Sequence, residues 1–354
     1  MKPLSIKQRI ALELNRKVKQ ERRRTHLLHQ LFWECTWRCN LSCRHCGSDC
    51  KSASAIKDMP AEDFLKVVDS ILPHVDPHKL NIVITGGEPL MRKDLEWVGR
   101  QLYDREMPWG IVTNGLLLTA ERLESLRRAG LHNITISLDG TEENHNWMRN
   151  HPLSFKRAYE AIRRVAAATD LNFDVVTCVN RRSLNELNEI KELLIAAGVK
   201  RWRLFTIFPA GRAAQYPDFE LTKEEVETLM EFIITTRKEG RIYPSFCCEG
   251  FMAGYEGEVR DYFFNCNAGV TVASVLLDGS IGACPSIRAD YTQGNIYKDD
   301  FWDVWQNRYK EYRDRSWMKR GACAECSYWR YCEGNGMHLR DSDGNLTHCH
   351  LLKS

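Results

Sequence analysis

The sequence predicts an α/β protein: a partial (β/α)6 barrel followed by a small cysteine-rich domain. Three observations predict it. Six short, β-rich apolar runs alternate with helix-like segments through the first two-thirds of the chain. Glycine and small polar residues stand at the ends of most of those runs. The fourteen cysteines crowd into two regions on either side of the alternation, with only Cys178 in the middle.

The runs are Leu31-Phe-Trp, Leu80-Asn-Ile-Val-Ile-Thr, Trp109-Gly-Ile-Val-Thr, Asn133-Ile-Thr-Ile-Ser, Phe173-Asp-Val-Val-Thr and Trp202-Arg-Leu-Phe-Thr-Ile-Phe. Between them, Pro60 to Leu72 opens with Pro-Ala-Glu-Asp, which suits a helix start. Thr119 to Gly130 opens on a capping threonine and closes on glycine. Ser154 to Ala168 and Ser183 to Ala197 show helical spacing. Strand and helix alternating in this way imply parallel βαβ units. Six units fall two short of a closed (β/α)8 barrel, so the expected barrel is open. Chemistry in such folds sits at the C-terminal strand ends.

Composition narrows the class. The 354 residues are 43% hydrophobic and 27% charged, which is ordinary for a folded globular chain. Lys+Arg total 50 against Asp+Glu 47, a balance too even to call for a nucleic-acid partner. No run of 18 apolar residues predicts a membrane span, and the first residues lack an apolar signal core. The expected location is the cytoplasm, where thiols stay reduced, so many thiols point to metal.

The strand ends carry the candidate chemistry. After the first run comes Cys39-Asn-Leu-Ser-Cys43-Arg-His-Cys46. Three thiolates this close can hold an iron–sulfur cluster with one iron left open. A structural zinc completed by Cys35 or Cys50 is the competing reading. After the second run comes Thr85-Gly86-Gly87-Glu88-Pro89, whose glycines allow close backbone approach and whose carboxylate can accept from an ammonium group. Thr113-Asn114-Gly115, Ser137-Leu-Asp139-Gly140 and Phe208-Pro-Ala-Gly211-Arg212 follow at later ends. Taken singly each is a loop; in series behind a three-cysteine loop they read as one site.

On these motifs, residues 28–212 resemble the radical S-adenosylmethionine (SAM) superfamily. The resemblance implies a [4Fe–4S] cluster on Cys39, Cys43 and Cys46, with SAM chelating its open iron. It implies that Gly86, Gly87 and Glu88 bind the SAM amino group and that Ser137 and Arg149 bind its carboxylate. Asn114 and Asp139 become polar contacts. His45 matches the position beside the adenine, the alternative being a solvent-exposed loop residue. The implied chemistry is reductive cleavage of SAM to a 5′-deoxyadenosyl radical that removes hydrogen from a substrate.

The second cysteine region reads Cys266-x12-Gly279-x4-Cys284, then Cys323-x2-Cys326-x5-Cys332, then Cys349. This is similar to the SPASM extension of peptide-modifying radical SAM enzymes. By that resemblance Cys323, Cys326, Cys332 and Cys349 hold an auxiliary [4Fe–4S] cluster, with zinc as the competitor. A second auxiliary centre on Cys266 and Cys284 is short of thiolates, because Gly336 stands where the pattern has cysteine. Cys247 and Cys248 are candidate replacements. Pro285 occupies the position of the general base in anaerobic sulfatase-maturating enzymes, which disfavours formylglycine formation unless another base serves. Cys178, on a predicted strand, reads as a buried structural thiol.

Ile6, Ile10, Leu14 and Val18 recur at i+4 near the start, followed by a basic run to Arg24. The plain expectation is a helix packing on the barrel with its basic end in solvent; an anionic membrane surface or an acidic partner is the alternative. The organisation reads as a basic helix over residues 1–27, the barrel over 28–240 and the SPASM-like domain over 241–354. The expected function is radical modification of a peptide or protein, fed by a flavodoxin or ferredoxin-type donor, with no nucleic acid. A tetrapyrrole or other small molecule is the alternative substrate, and a zinc-stabilised binding module the non-enzymatic one.

Overall fold

The computed structural model describes residues 2–54, 56–247 and 249–352. Cys248, one of the two replacement ligands named above, lies outside them. The six expected strands form as β1 (Gln30–Glu34), β2 (Asn81–Thr85), β3 (Trp109–Thr113), β4 (Leu131–Ser137), β5 (Asn172–Val179) and β6 (Arg201–Thr206). They pair in parallel and in sequence order. Two features extend this sheet. β7 (Tyr243–Phe246) adds a seventh parallel strand beside β6. On the other side β8 (Val272–Val275) pairs parallel with β1, and β9 (Ser280–Gly282) and β10 (Gly294–Asn295) continue it antiparallel. The ten strands form one sheet whose outer members, β10 and β7, do not pair with each other, so the barrel is open.

Eight helices precede or connect these strands: α1 (Ile6–Thr25), α2 (Ala61–Ile71), α3 (Leu95–Asp104), α4 (Ala120–Arg128), α5 (Glu142–Arg149), α6 (Ser154–Ala166), α7 (Arg181–Ala196) and α8 (Lys223–Glu239). Local chemistry fixes their starts. Thr119 accepts from the Arg122 amide at 3.1 Å, and Thr222 with Glu225 forms a capping box ahead of α8. The apolar stripes of α2, α3, α4 and α6 pack on the outer face of the sheet, where Trp33 stacks on Phe64 with centroids 4.5 Å apart. The inner face is mixed, with Phe32, Val83 and Val112 among polar residues. Asn81, Asn133, Asp174 and Arg203 line a cavity of about 620 Å³ within the curve of the sheet.

α1 corrects the simplest expectation. It packs on the body through Leu12 together with Lys19 and Arg23, and the stripe of Ile6, Ile10, Leu14 and Val18 points outward. Lys19 Nζ donates to the Tyr331 carbonyl at 2.7 Å, and Arg23 donates twice to Glu333, at 3.0 and 2.6 Å. These buried or half-buried polar contacts set the rotation of the helix. Its basic end is split, with Arg23 engaged and Arg22 and Arg24 in solvent.

Candidate active site

The C-terminal ends of β1–β6 converge as the topology requires. A cavity of about 160 Å³ there is lined by Cys39, Cys43, His45, Cys46, Gly86, Gly87, Glu88, Asn114, Ser137 and Arg149. All three loop cysteines and seven of the eight residues read as SAM contacts therefore face one space; Asp139 stands just behind it. Cys50 lines the same cavity, and Cys35 does not: it is buried in the main core, where burial pushes its thiol up. The thiols of Cys46 and Cys50 share a hydrogen bond, which lowers Cys46 and raises Cys50.

The glycine motif is fixed by backbone crowding. A Cβ on Gly87 would sit 2.2 Å from the Arg38 carbonyl oxygen, and one on Gly86 2.3 Å from that of Thr36. The Gly87 and Glu88 amides donate to those carbonyls at 2.7 and 2.9 Å, pinning the end of β2 to the segment that leads into the cysteine loop. Glu88 is 1% exposed. Its carboxylate accepts from Thr113 Oγ1 at 2.8 Å, the Asn114 amide at 2.8 Å and the Leu90 amide at 3.1 Å. A carboxylate has about four lone-pair sites, so one remains for a ligand. Burial pushes this carboxyl up, against the pull of those three donors.

Opposite, Arg149 Nε donates to Asp139 Oδ2 at 2.6 Å and Nη1 lies 3.8 Å from the Cys43 sulfur. Asp139 Oδ1 accepts from the Cys178 amide at 2.9 Å. Burial alone would raise Asp139, but the Arg149 guanidinium, with His45 and His145 adding to it, holds the carboxyl at about 2. Asp139 is thus the counter-ion that orients Arg149, with its own oxygens occupied. His145 was not marked by the sequence reading. It is fully buried on α5, its Nδ1 accepts from the Asp139 amide at 2.9 Å and its Nε2 meets Ser154 Oγ at 3.0 Å. His45 is not a solvent-exposed loop residue: burial lowers its ring to about 4, and Nδ1 has no hydrogen-bond partner among the described residues. Cys178 stands on β5 as expected, and its sulfur lies with His45 and Asp139 in a group whose atoms fall within 4.8 Å of one another.

Arg212, in the turn that follows β6, is a clamp on the cysteine loop. Nε donates to the Cys43 carbonyl at 2.7 Å, Nη1 to the Cys50 carbonyl at 3.0 Å and to Asp49 at 2.7 Å. Gly211 before it has φ +56, and a Cβ there would meet the Cys46 and Gly47 carbonyl oxygens at 2.6 Å. Converging thiols, an orphaned imidazole nitrogen, a glycine cradle and a carboxylate with one free site fit a three-cysteine cluster with a small zwitterion beside it.

A second, smaller cavity lies in the C-terminal region. Cys323, Cys326, Cys332 and Cys349 all line a space of about 20 Å³ closed by Trp329, Leu346 and Leu351. Arg340 Nη2 donates to the Cys323 sulfur at 3.4 Å. Four thiols around one apolar pocket fit a buried four-cysteine centre. Cys266 and Cys284 lie elsewhere, Cys266 within the main core and Cys284 packed against it. Arg315 donates to the Cys266 carbonyl at 3.0 Å and to the Asn335 carbonyl at 3.1 Å. Gly336 follows Asn335 and offers no thiol at the position where the pattern has one.

A third cavity, about 250 Å³, shares Thr85 and Gly86 with the first and is bounded by Phe208, Pro285 and Ser286. Glu34, at the end of β1 and 1% exposed, accepts from Arg288 at 3.2 Å and from Trp37 Nε1 at 2.8 Å. This pair, 254 residues apart, joins the barrel to the segment after Cys284. No sequence signal marked either member.

Comparison with known proteins identifies two regions of the chain. Residues 33–194 match the model of the radical SAM superfamily, and residues 266–327 match that of SPASM, an iron–sulfur cluster-binding domain. An AdoMet-dependent heme synthase of Methanosarcina barkeri is 27% identical over 322 residues, 86% of this chain and 90% of that protein. The mycofactocin maturase MftC of Mycolicibacterium smegmatis is 29% identical over 321 residues, 87% of this chain and 77% of that protein. Among solved structures, native anSMEcpe with bound AdoMet has a TM-score of 0.69 at 20% identity, covering 89% of this chain and 90% of that one. Streptococcus suis SuiB bound to S-adenosylmethionine has a TM-score of 0.68 at 16% identity, covering 87% and 73%. The structural likenesses concern the fold. The chain belongs to the radical SAM superfamily, as an enzyme with a C-terminal SPASM region, and its cofactors are SAM, a [4Fe–4S] cluster and at least one auxiliary iron–sulfur cluster.

Proposed function

We propose that the enzyme modifies a peptide or protein side chain by hydrogen-atom abstraction. The observation that carries this reading is the 250 Å³ cavity next to the SAM-side glycines. It is below the roughly 300 Å³ at which cavities begin to enclose drug-sized ligands. It suits one inserted side chain, with the remainder of the substrate outside.

Cys39, Cys43 and Cys46 are the ligands we assign to the cluster. Gly86, Gly87 and the free site on Glu88 face the SAM ammonium group; Arg149 and Ser137 face its carboxylate; Asn114 borders the same end; His45 offers its ring to the adenine. Asp139 acts through Arg149. The cluster and SAM, when bound, supply the 5′-deoxyadenosyl radical. The protein orients the substrate and keeps water away. Glu34 is the acid lining the substrate cavity, where Pro285 has no proton to take or give. Cys323, Cys326, Cys332 and Cys349 are assigned to the auxiliary cluster, with Cys266 and Cys284 as an incomplete further pair. The units are residues 1–27, 28–240 and 241–354, and the electron donor is a flavodoxin or ferredoxin.

A second reading makes the substrate a tetrapyrrole. Relatives named heme synthase and Fe-coproporphyrin III synthase favour it, and Arg288 at the cavity could take a propionate. One experiment separates the two. Anaerobically reconstituted enzyme with SAM and dithionite is offered a peptide pool or a coproporphyrin. Peptide-stimulated release of 5′-deoxyadenosine, with a mass change in a peptide, supports the first reading. Stimulation by the coproporphyrin alone supports the second.

A further inference from the structure

We propose that the outer face of α1 binds an anionic membrane surface. A helix on the surface of a globular protein ordinarily turns its apolar stripe inward. α1 does the reverse. Ile6 is 79% exposed, Ile10 61%, Leu14 61% and Val18 45%, while Leu12 and Lys19 on the opposite side are buried.

This orientation is built in. Gln8 Nε2 donates to the Gly254 carbonyl at 2.7 Å near the start of the helix, and Glu13 pairs with Arg330 at its middle. Lys19 and Arg23 are held by Glu333 near its end. The helix is thus tied down along its length, about 30 Å for its 20 residues. Its four aliphatic side chains have no place to turn to within the same chain.

Charge identifies the occupant. Lys7, Arg9, Lys17, Arg22 and Arg24 are exposed on the helix, and Glu21, paired with Arg24, is the exposed acid. At about 100° per residue Lys7, Lys17 and the Glu21–Arg24 pair fall within the arc of the stripe and Arg9 and Arg22 flank it; aliphatic tips interleaved with cations suit a helix lying in the headgroup plane. Lys7 and Lys17 stand next to stripe residues in sequence. The cores of protein interfaces are depleted of lysine, whereas lysine stems can snorkel past lipid tails to the phosphates. Pairing two copies through this face would set their cations against each other. No helix among the described residues is long and apolar enough to cross a membrane, so contact is at the surface.

The test is flotation of the full chain with vesicles of phosphatidylcholine, with or without phosphatidylglycerol. Binding is expected to the anionic vesicles, weakening as salt rises and falling about fivefold per cation removed in Lys17→Gln and Arg22→Gln. Ile10→Glu/Leu14→Glu is expected to lower binding at least tenfold, with unchanged circular dichroism and SAM cleavage, because both side chains face solvent. Three results would overturn the proposal: no flotation with anionic vesicles, equal flotation with neutral ones, or a concentration-dependent dimer that Ile10→Glu/Leu14→Glu abolishes.

Discussion

Replacing Arg212 with alanine tests whether the cysteine loop is held from the turn after β6. The guanidinium makes two hydrogen bonds to loop carbonyls, those of Cys43 and Cys50, and one ion pair with Asp49. A hydrogen bond from a charged donor contributes roughly 1.5–3 kcal/mol. Asp49 is half exposed, so its pair adds at most about 1 kcal/mol. Water reaches part of the vacated space, so the expected cost to the loop is about 3 kcal/mol rather than the full sum. That cost falls on cluster retention more than on the barrel, whose core Arg212 does not enter. The assay is iron retained after anaerobic desalting with a chelator, alongside the melting temperature. Arg212→Ala should lose iron on the order of 100-fold faster, with a much smaller shift in melting, and Arg212→Lys should recover part of the loss. Wild-type iron retention in Arg212→Ala would refute the clamp.

Gly87→Ala should abolish SAM binding, measured by equilibrium dialysis, because its methyl must displace the Arg38 carbonyl from 2.2 Å; wild-type affinity would contradict the close approach. Cys326→Ala should keep some uncoupled SAM cleavage but lose product formation or solubility, and full turnover would make the auxiliary cluster dispensable. Asp139 is depressed to about 2 when folded. Its contribution to stability is therefore complete above the ordinary carboxylate range and is lost as pH falls towards 2. Urea titrations should show Asp139→Asn less stable than wild type at pH 7, with the gap closing below about pH 4; a constant gap would remove the Arg149 pairing as its cause.

Much of this site was legible because its residues sit at consecutive strand ends, where a two-residue period stops and Gly, Asn, Asp or Cys begins. Parallel topology then brings distant motifs together without further information. What escaped was non-local or rotational. β7 is four residues long and contains Pro244, too weak a pattern to mark. β8 joins β1 across about 240 residues, and the Glu34–Arg288 pair spans a similar separation; neither has a local signature. His145 lies on the polar helix α5, where spacing alone gives it no role. In α1 the periodicity located the stripe but not the side that packs, because Glu333, far along the chain, decides the rotation.

The central claim is that Cys39, Cys43 and Cys46 hold the cluster that cleaves SAM. The most direct measurement is 5′-deoxyadenosine released by anaerobically purified, dithionite-reduced protein, wild type against Cys43→Ala. The account predicts release by wild type, which should carry iron and sulfide at about four or more each per chain, and none by the mutant. Release by Cys43→Ala at the wild-type rate, or a wild-type protein carrying zinc alone, would contradict it.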